Sequence, residues 1–281
     1  MDIEAIRTFL AIYDSGSFQA ASERVHVTQS TVSMRMKALE GRLGVRLFER
    51  SKSGATPTVQ GRRLQRYART MVLAWEEARQ QVGIPPSFDT LLAVGAQYSL
   101  WDTLLAGFLP KLRKHLPRVA LRAEAAAPFG LMRRLSEGLI DLAILYRPEA
   151  LPDLKIEELI DDELLLVTTD PKGEYRDRYV QIDWGRAFSD ENEAAFLDIV
   201  ETGVTVDLGS LSGRYLIDSN AAGFMPRRMV QRHLKSGALY EAPGAPRFRY
   251  PIYSVHHGQN APVAVESAMK VLRKIARAKE A

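Results

Sequence analysis

The side chains with the clearest chemical potential lie in the segment 29–43, which the residue spacing predicts to be a helix. Its apolar residues recur at i, i+4, i+7 and i+11, so they form one narrow stripe of Val32, Met36, Leu39 and Leu43. The residues that fall on the opposite face are Ser30, Ser33, Met34, Lys37 and Gly41. This face is short and polar, and Glu40 is the lone acid of the segment. Such a face suits a helix in the major groove of DNA, where Gln and Ser contact base edges and Lys contacts guanine or phosphate.

The neighbouring segments predict the elements that would position this helix. Apolar residues at i, i+3 and i+4 spacing indicate a first helix up to Tyr13, and Ser17 is placed to cap a second helix. Thr28 is placed to cap the third helix, which Gly44 ends. The basic turn 50–54 then separates two short extended segments, which predicts a β-hairpin wing whose cations rest on phosphates.

Positive charge is concentrated at this end of the chain. The 281 residues contain 38 Lys and Arg against 34 Asp and Glu, a formal net charge of +4, whereas residues 1–86 hold 13 against 8. Within that third, residues 28–52 hold six basic residues and two acids. This excess favours a nucleic acid partner, although the same pattern also fits a three-helix packing module with a solvated polar face.

The order of these residues resembles the winged helix-turn-helix of LysR-type transcriptional regulators over about 60 residues without a gap. The positions that carry the resemblance are Phe9, Ser17, Phe18, Ala20, Ala21, Val27, Thr28, Gln29, Ser30, Val32, Ser33, Leu39, Glu40, Leu43, Gly44, Leu47, Phe48, Arg50, Thr58 and Gly61. The resemblance implies that base edges are contacted by Gln29, Ser30, Ser33 and Lys37, and phosphates by Arg35, Arg50 and Lys52. Thr28, Thr31 and Met34 complete the predicted DNA-binding set.

Two positions depart from the family pattern. Position 34 is often Arg in the family and is Met here, so one polar contact is missing or is replaced by an apolar contact with a thymine methyl. Position 57 is usually Leu and is Pro here, which affects the exit from the wing into the next helix.

A long helix is predicted after the wing, capped by Thr58 and ending at about Val82. Its apolar stripe gives the predicted dimerisation set of Leu64, Tyr67, Met71, Trp75, Ala78 and Val82. One interpretation is that the stripe packs on its own domain. Self-association is favoured, because the helix stops at a Gly-Ile-Pro-Pro break at 83–86 that is typical of a linker. The resemblance implies that two copies of this helix pair, so that the dimer covers two half-sites.

From residue 90 the pattern changes to alternating strands and helices, which predicts a parallel α/β sheet. It includes a helix over 100–115, a strand over 163–169 that crosses into a second subdomain, and a helix over 190–200. The predicted domains are a DNA-binding domain 1–58, a linker and dimerisation helix 59–86 and an effector domain 87–281. The lobes of the effector domain are predicted at about 87–162 plus 263–281 and about 163–262.

Ligands of open α/β sheets bind beyond the carboxyl ends of strands, near helix N-termini. This rule gives the predicted effector-binding set of Gln97, Tyr98, Ser99, Trp101, Pro128, Phe129, Tyr146, Arg147, Ser219, Asn220, Phe224, Met225 and His256. For an anionic effector, Arg147 and the helix tip at Ser99 are the expected partners. Each aromatic residue of the set also fits a place in the hydrophobic core. The segment 138–144 resembles the family's Gly-x-x-Asp-Leu-Ala-Ile, and a structural hydrogen bond is expected for its Asp141.

The composition excludes several classes of protein. The chain has no cysteine, which excludes disulfides, thiol switches, cysteine nucleophiles and Cys-ligated metal sites. No apolar run approaches the roughly 20 residues that span a bilayer, and the first residues lack the pattern of a signal peptide, so a cytoplasmic location without membrane contact is expected. Neither His-x-x-x-His nor Gly-x-Ser-x-Gly occurs, so an enzyme is not predicted and no metal or cofactor is expected.

These observations predict a multidomain protein with an all-α-rich winged helix-turn-helix, a long linker helix and a two-lobed α/β effector domain similar to type 2 periplasmic binding proteins. The resemblance implies a bacterial-type, dimeric or tetrameric regulator that binds double-stranded operator DNA. It would respond to a small-molecule effector in the interlobe cleft and act with RNA polymerase. Two alternatives stay open: an oxidant sensor that uses methionine oxidation, with Met225 in a predicted loop, and a non-specific architectural DNA binder.

Overall fold

A computed structural model describes residues 2–51, 54–185, 188, 203–258 and 262–280. The chain divides into two compact units. The first is Met1–Leu91 with Arg133–Ile140, and the second is Leu92–Met132 with Asp141–Ala281. Within the described ranges, no helix combines the length and the apolar character that crossing a membrane requires.

Three short helices open the first unit: α1 (Ile3–Ser15), α2 (Phe18–Arg24) and α3 (Gln29–Leu43). The side chain of Ser17 accepts a hydrogen bond from Ala20 N–H at the start of α2, and that of Thr28 accepts one from Thr31 N–H at the start of α3. Gly44 ends α3 in the left-handed conformation, at φ 68°. Both predicted N-caps and the predicted helix end are confirmed.

The three helices enclose a hydrophobic core that also receives one side of the wing. Phe9 is fully buried, and its ring lies 5.4 Å from that of Phe48 in the wing. The predicted apolar stripe of α3 faces this core through its buried members Val32, Met36 and Leu39. Its fourth member, Leu43, is the last residue of the helix and is 44% exposed.

The wing is an antiparallel hairpin of β1 (Phe48–Ser51) and β2 (Gly54–Pro57), as the sequence predicts. Pro57 is the last residue of β2 and pairs with Phe48, so the hairpin accommodates this departure from the family pattern. The chain leaves the hairpin at Thr58, whose backbone N–H donates a hydrogen bond to Leu47 O at 2.9 Å. This bond fixes the start of the following helix relative to the wing. The Thr58 hydroxyl accepts a hydrogen bond from Gly61 N–H at 3.0 Å, which caps the following helix.

That helix, α4 (Val59–Val82), packs one side on the core of the first unit. Ala68 is fully buried, Val72 is nearly so, and Leu64 packs against the same core. The segment Arg133–Ile140 also contacts α4, since Gln80 Nε2 donates to Gly138 O at 2.9 Å.

The strands that follow are β3 (Thr90–Ala96), β4 (Val119–Ala125), β5 (Leu142–Tyr146), β6 (Leu154–Ile160), β7 (Glu163–Thr168), β8 (Gln181–Ile182), β9 (Thr205–Val206), β10 (Ala222–Pro226), β11 (Tyr240–Glu241), β12 (Arg247–Arg249) and β13 (Ile252–His257). The helices are α5 (Tyr98–Thr103), α6 (Phe108–His115), α7 (Pro128–Ser136), α8 (Ser212–Asp218), α9 (Arg227–Ser236) and α10 (Val263–Glu280). The predicted helix over 190–200 lies outside the described residues.

The second unit contains a five-stranded sheet in the order β4-β3-β5-β13-β6. β3 and β5 are parallel, as predicted, and Asp141 joins them because its Oδ2 accepts a hydrogen bond from Ala93 N–H at 2.7 Å. β13, however, is antiparallel to both β5 and β6. The prediction of a parallel sheet is therefore wrong for this part, and the sheet is mixed. β13 lies in this first sheet although the sequence places it in the second lobe, about 163–262.

A second sheet is built on β7, which pairs antiparallel with β10, β11 and β12, while β8 and β9 form a separate parallel pair. β11 and β12 are too short to show an alternating pattern in the sequence. The predicted helix 100–115 is also wrong as one element, because it divides into α5 and α6. Leu104 and Leu105, between the two, are both buried, and Leu104 N–H and Leu105 N–H both donate to Leu100 O where the first helix ends.

Candidate nucleic-acid interface and effector site

The outward face of α3 is accessible along its length. Gln29, Ser30 and Lys37 are exposed, Ser33 is half-buried, and the Met34 side chain is 65% exposed. The opposite face is fixed in the core by the buried stripe. The predicted base-edge residues therefore share one solvent-facing surface, although their contact with DNA stays a prediction.

Hydroxyl groups at the start of α3 are partly engaged with one another. Thr28 Oγ1 lies 2.8 Å from Ser30 Oγ and 2.9 Å from Thr31 Oγ1. Thr28 also caps the helix, so it and Thr31 set the position of the first turn. Of the four residues predicted to contact base edges, Gln29, Ser33 and Lys37 take no part in this hydroxyl cluster.

Arg35 holds α3 against α1. Its Nη1 lies 3.4 Å from Glu4 Oε2 and 3.3 Å from Thr8 Oγ1. The guanidinium is therefore used inside the domain, whereas the sequence assigns it to DNA phosphates. A phosphate contact from this residue would have to compete with the Glu4 carboxylate for the same cation.

The lone acid of α3 is turned toward the base of the wing. Glu40 Oε1 accepts hydrogen bonds from Leu47 N–H at 2.7 Å and from Phe48 N–H at 3.3 Å. These bonds fix the start of the hairpin relative to α3. The two predicted phosphate contacts of the wing cannot be placed, because Lys52 and the side chain of Arg50 lie outside the described residues.

The predicted dimerisation stripe of α4 is largely uncovered by the chain itself. Tyr67 is 56% exposed, Trp75 49% and Val82 88%; Ala78 is also exposed, and Met71 is half-buried. Leu64 differs, because it packs on the core beside Ala68 and Val72. Thus α4 has two apolar sides, one used within the unit and one exposed.

Three residues of the predicted effector set come together at the carboxyl end of β5. Gln97 Oε1 accepts a hydrogen bond from Tyr146 N–H at 2.6 Å. Arg147 follows the strand in the left-handed conformation, at φ 47°, and its guanidinium lies 5.3 Å from the centre of the Tyr250 ring. Tyr146 stacks on the same ring, with centroids 4.3 Å apart.

Buried ionisable groups lie beside Tyr146 at the carboxyl end of β5, and the sequence did not indicate them. The Tyr146 hydroxyl donates to Asp162 Oδ2 at 3.1 Å, and Arg228 Nε lies 3.7 Å from the same oxygen. Burial raises the pKa of Asp162, and burial together with the Asp162 charge raises the pKa of the Tyr146 phenol well above its usual value. Asp162, Arg228 and Tyr250 carry no local motif, since only the pairing of distant strands brings them together.

The remaining residues near the start of α5 have different environments. Ser99 is buried, and Trp101 Nε1 donates to Glu124 O at 2.8 Å. Tyr98 and Phe129 are strongly exposed, at 64% and 74%. Pro128 is half-buried and is the first residue of α7.

Ser219 and Asn220 lie in the wall of a separate cavity of about 560 Å³ in the second lobe, lined also by Arg176 and Tyr215. Asn220 Oδ1 accepts hydrogen bonds from Thr169 Oγ1 at 2.7 Å and from Arg178 Nη1 at 3.1 Å. The residues that line this cavity do not include Gln97, Tyr146 or Arg147. The predicted effector residues therefore fall into two groups rather than one site.

Three further members of the set require correction. Phe224 and Met225 are fully buried inside β10, not in a loop, because β10 pairs with β7 and turns both side chains into the core. His256 pairs with Leu142 at the start of β5, while Ile252 pairs with Tyr146 at its end. Because β13 is antiparallel to β5, His256 lies about 13 Å from Tyr146 along the sheet.

The sequence matches the bacterial regulatory helix-turn-helix protein model of the lysR family over residues 3–62 and the LysR substrate binding domain model over residues 87–171. The chain belongs to the LysR family of transcriptional regulators. It is a LysR-type DNA-binding transcriptional regulator with an effector-binding domain, and members of this family are not enzymes. They bind operator DNA and small-molecule effectors, and they oligomerise. The predicted fold class, a helix-turn-helix region followed by an α/β effector domain, is confirmed.

Individual relatives agree with this assignment over most of the chain. The transcriptional regulator HdfR of Escherichia coli O17:K52:H18 is 29% identical over 262 residues, which cover 91% of each chain. Among solved structures, ArgP from Mycobacterium tuberculosis has a TM-score of 0.60 at 22% identity and covers 98% of this LysR-type chain and 97% of its own. LysG of Corynebacterium glutamicum with the effector Arg bound has a TM-score of 0.58 at 20% identity and covers 99% of both chains. These two structures share the fold.

Proposed function

We propose that this LysR-type regulator binds its operator as a dimer through α3 and the wing, and that a small molecule bearing a carboxylate binds at Arg147 and alters this DNA binding. The operator part is supported by the accessible polar face of α3. The dimer part is supported by the exposed apolar side of α4, where Tyr67, Trp75 and Val82 would pack against a second copy. The division of the chain into domains 1–58, 59–86 and 87–281 belongs to the same proposal.

The effector part depends on one observation at Arg147. Its Nη1 is buried and makes no hydrogen bond within the described part of the chain, and its backbone is in a conformation that non-glycine residues seldom adopt. Strained backbone positions of this kind concentrate at ligand sites, where the surrounding structure holds them in place. A guanidinium of a half-buried residue with a buried donor that has no acceptor favours a planar anion that can accept its hydrogen bonds.

The charges around Arg147 support an anionic ligand. Arg228 is a second, half-buried guanidinium close to Asp162, and its buried Nε also makes no hydrogen bond within the described ranges. Asp162 is the carboxylate that both Arg228 and Tyr146 approach, and burial raises its pKa. Burial disfavours the ionised form of Asp162, so this acid only partly compensates the Arg228 cation, while Asp183 and Asp207 are further acids whose charges act on Tyr250.

The test is ligand-induced stabilisation of the full-length protein. L-amino acids and small dicarboxylates are screened for a rise in Tm, amino acids being included because LysG holds Arg, and each active compound is then titrated in a footprint on operator DNA. We expect Arg147→Ala to remove the rise in Tm, and Arg147→Lys to retain part of it because it keeps the charge.

Arg176→Ala is the matched control, since it removes the same kind of side chain from the wall of the cavity at Ser219 and Asn220. If this control removes the rise in Tm and Arg147→Ala retains it, the effector binds in that cavity and the assignment to Arg147 is wrong. If no compound changes either the Tm or the footprint, regulation by a small carboxylate is refuted.

We also propose that this regulator acts in the cytoplasm, where its DNA target is located, and that it contacts RNA polymerase at the promoter. Co-purification of polymerase on operator DNA, with and without the regulator, tests the second point. Oxidant sensing through Met225 has no specific support, because this side chain is fully buried. A non-specific architectural role predicts binding that random DNA competes away equally well.

A further inference from the structure

The recognition helix α3 exposes one large apolar side chain in the middle of its polar face. Met34 is 65% exposed, and its neighbours on this face are Ser30, Ser33 and Lys37. Leaving a thioether in water gains nothing for folding, and the core beneath α3 is filled by other residues. Met34 therefore lies uncovered on the face that the proposed operator binding places against DNA.

The structure keeps Met34 on this face, because the residues on either side of it are fixed. Arg35 is bonded to α1 through Glu4 and Thr8, and Met36 is fully buried in the core. The helix cannot rotate about its axis without breaking both contacts. The helix is therefore fixed, whereas the Met34 side chain can still change its rotamer. Its unbranched thioether adapts to an irregular apolar surface.

The major groove offers one apolar group to such a side chain. Each base pair presents hydrogen-bond donors and acceptors there, and thymine adds the methyl group at C5 beside its O4 acceptor. Met34 has no donor and only a weak acceptor, so it gains most over this methyl group. We propose that Met34 is a specificity-determining residue that selects thymine at one position of each operator half-site through the C5 methyl group, an inference that rests on the proposed operator binding by α3.

Removal of that single methyl group tests the proposal. The full-length regulator first selects its operator from randomised duplex DNA, and each thymine of the selected half-site is then replaced by deoxyuridine, which changes only the C5 methyl. We expect that deoxyuridine at one thymine position of a single half-site weakens binding by about fourfold, the effect of losing one methyl group from an apolar contact. The same replacement in both half-sites multiplies the two effects.

Two variants separate this contact from a general effect of deoxyuridine. With Met34→Ala, the same replacement has no effect, because the contact is already lost. With Met34→Leu, an apolar side chain of similar size, part of the sensitivity is retained. Since Met34 is exposed, both variants keep the Tm of the parent protein, which confirms that they fold.

The proposal is overturned if no thymine methyl discriminates the parent protein from Met34→Ala while the parent still binds the selected operator tightly. In that case DNA binding by α3 stands and only the role of Met34 fails. If no sequence is enriched from random DNA, the proposed operator recognition itself fails, and the role of Met34 fails with it.

Discussion

Adding one methyl group at each of two helical glycines should change stability in opposite directions. Gly41 is in the exposed part of α3, and an ideal Cβ there would meet nothing within 4 Å. Gly61 is in the first turn of α4, and a Cβ there would lie 2.3 Å from the carbonyl oxygen of Leu47. Both positions are helical, so Ala improves the intrinsic helix propensity equally in the two variants.

The magnitudes follow from these surroundings. Gly41→Ala should stabilise the first unit by about 0.5–1 kcal/mol, the ordinary gain for an exposed helix interior. In Gly61→Ala the gain is outweighed, because Leu47 is buried and its oxygen already accepts the hydrogen bond from Thr58 N–H. Overpacking costs about 1–3 kcal/mol and loss of that bond about 1 kcal/mol, so a net destabilisation of about 1–3 kcal/mol is expected.

Hydrogen exchange followed by mass spectrometry is the suitable assay, because it reports the opening free energy of peptides from α1 to α3 separately from the second unit. Exchange in these peptides should become about five- to 150-fold faster in Gly61→Ala and a few-fold slower in Gly41→Ala, at roughly tenfold per 1.4 kcal/mol. Equal protection in the two variants, or stronger protection in Gly61→Ala, would refute the argument from the Leu47 contact.

Three further predictions address the interface, the stripe on α4 and the alternative function. Arg35→Gln should lower the unfolding free energy by about 1 kcal/mol and leave the salt dependence of DNA binding unchanged, because the guanidinium is held by Glu4 and Thr8. A weaker salt dependence in Arg35→Gln would instead place Arg35 on a phosphate. Lys37→Gln, at a residue assigned to a base edge, should lower the preference for the operator over random DNA at constant stability. Trp75→Glu should convert the oligomer to a smaller species in analytical ultracentrifugation, and an unchanged sedimentation coefficient would contradict pairing through α4. Under mild peroxide, peptide mass analysis should find Met34 oxidised well before Met225, and equal rates would contradict the burial of Met225.

The first unit was predictable because its signals are local. Ser17 and Thr28 cap helices from positions next to them in the chain, Gly44 ends α3, and the apolar stripe of α3 appears within a dozen residues. Even here, the contacts between elements were hidden. Arg35 meets Glu4 across 31 positions of sequence, so a cation that looked free for phosphate is held inside the domain.

The effector site was less predictable because it depends on the direction and register of distant strands. The rule that ligands bind at carboxyl ends of strands selects Tyr146 and Arg147 together, since Tyr146 ends β5 and Arg147 follows it. Applied to β13 it selects His256, but β13 runs the opposite way, so its amino end and the preceding Tyr250 lie beside Tyr146 instead. One reversal of strand direction thus removes a histidine from the candidate site and adds a tyrosine to it. It follows that a sequence pattern alone cannot assign the ligand-facing end of a strand in a mixed sheet, and that the pairing partner of each strand must be known before its residues are assigned to a site.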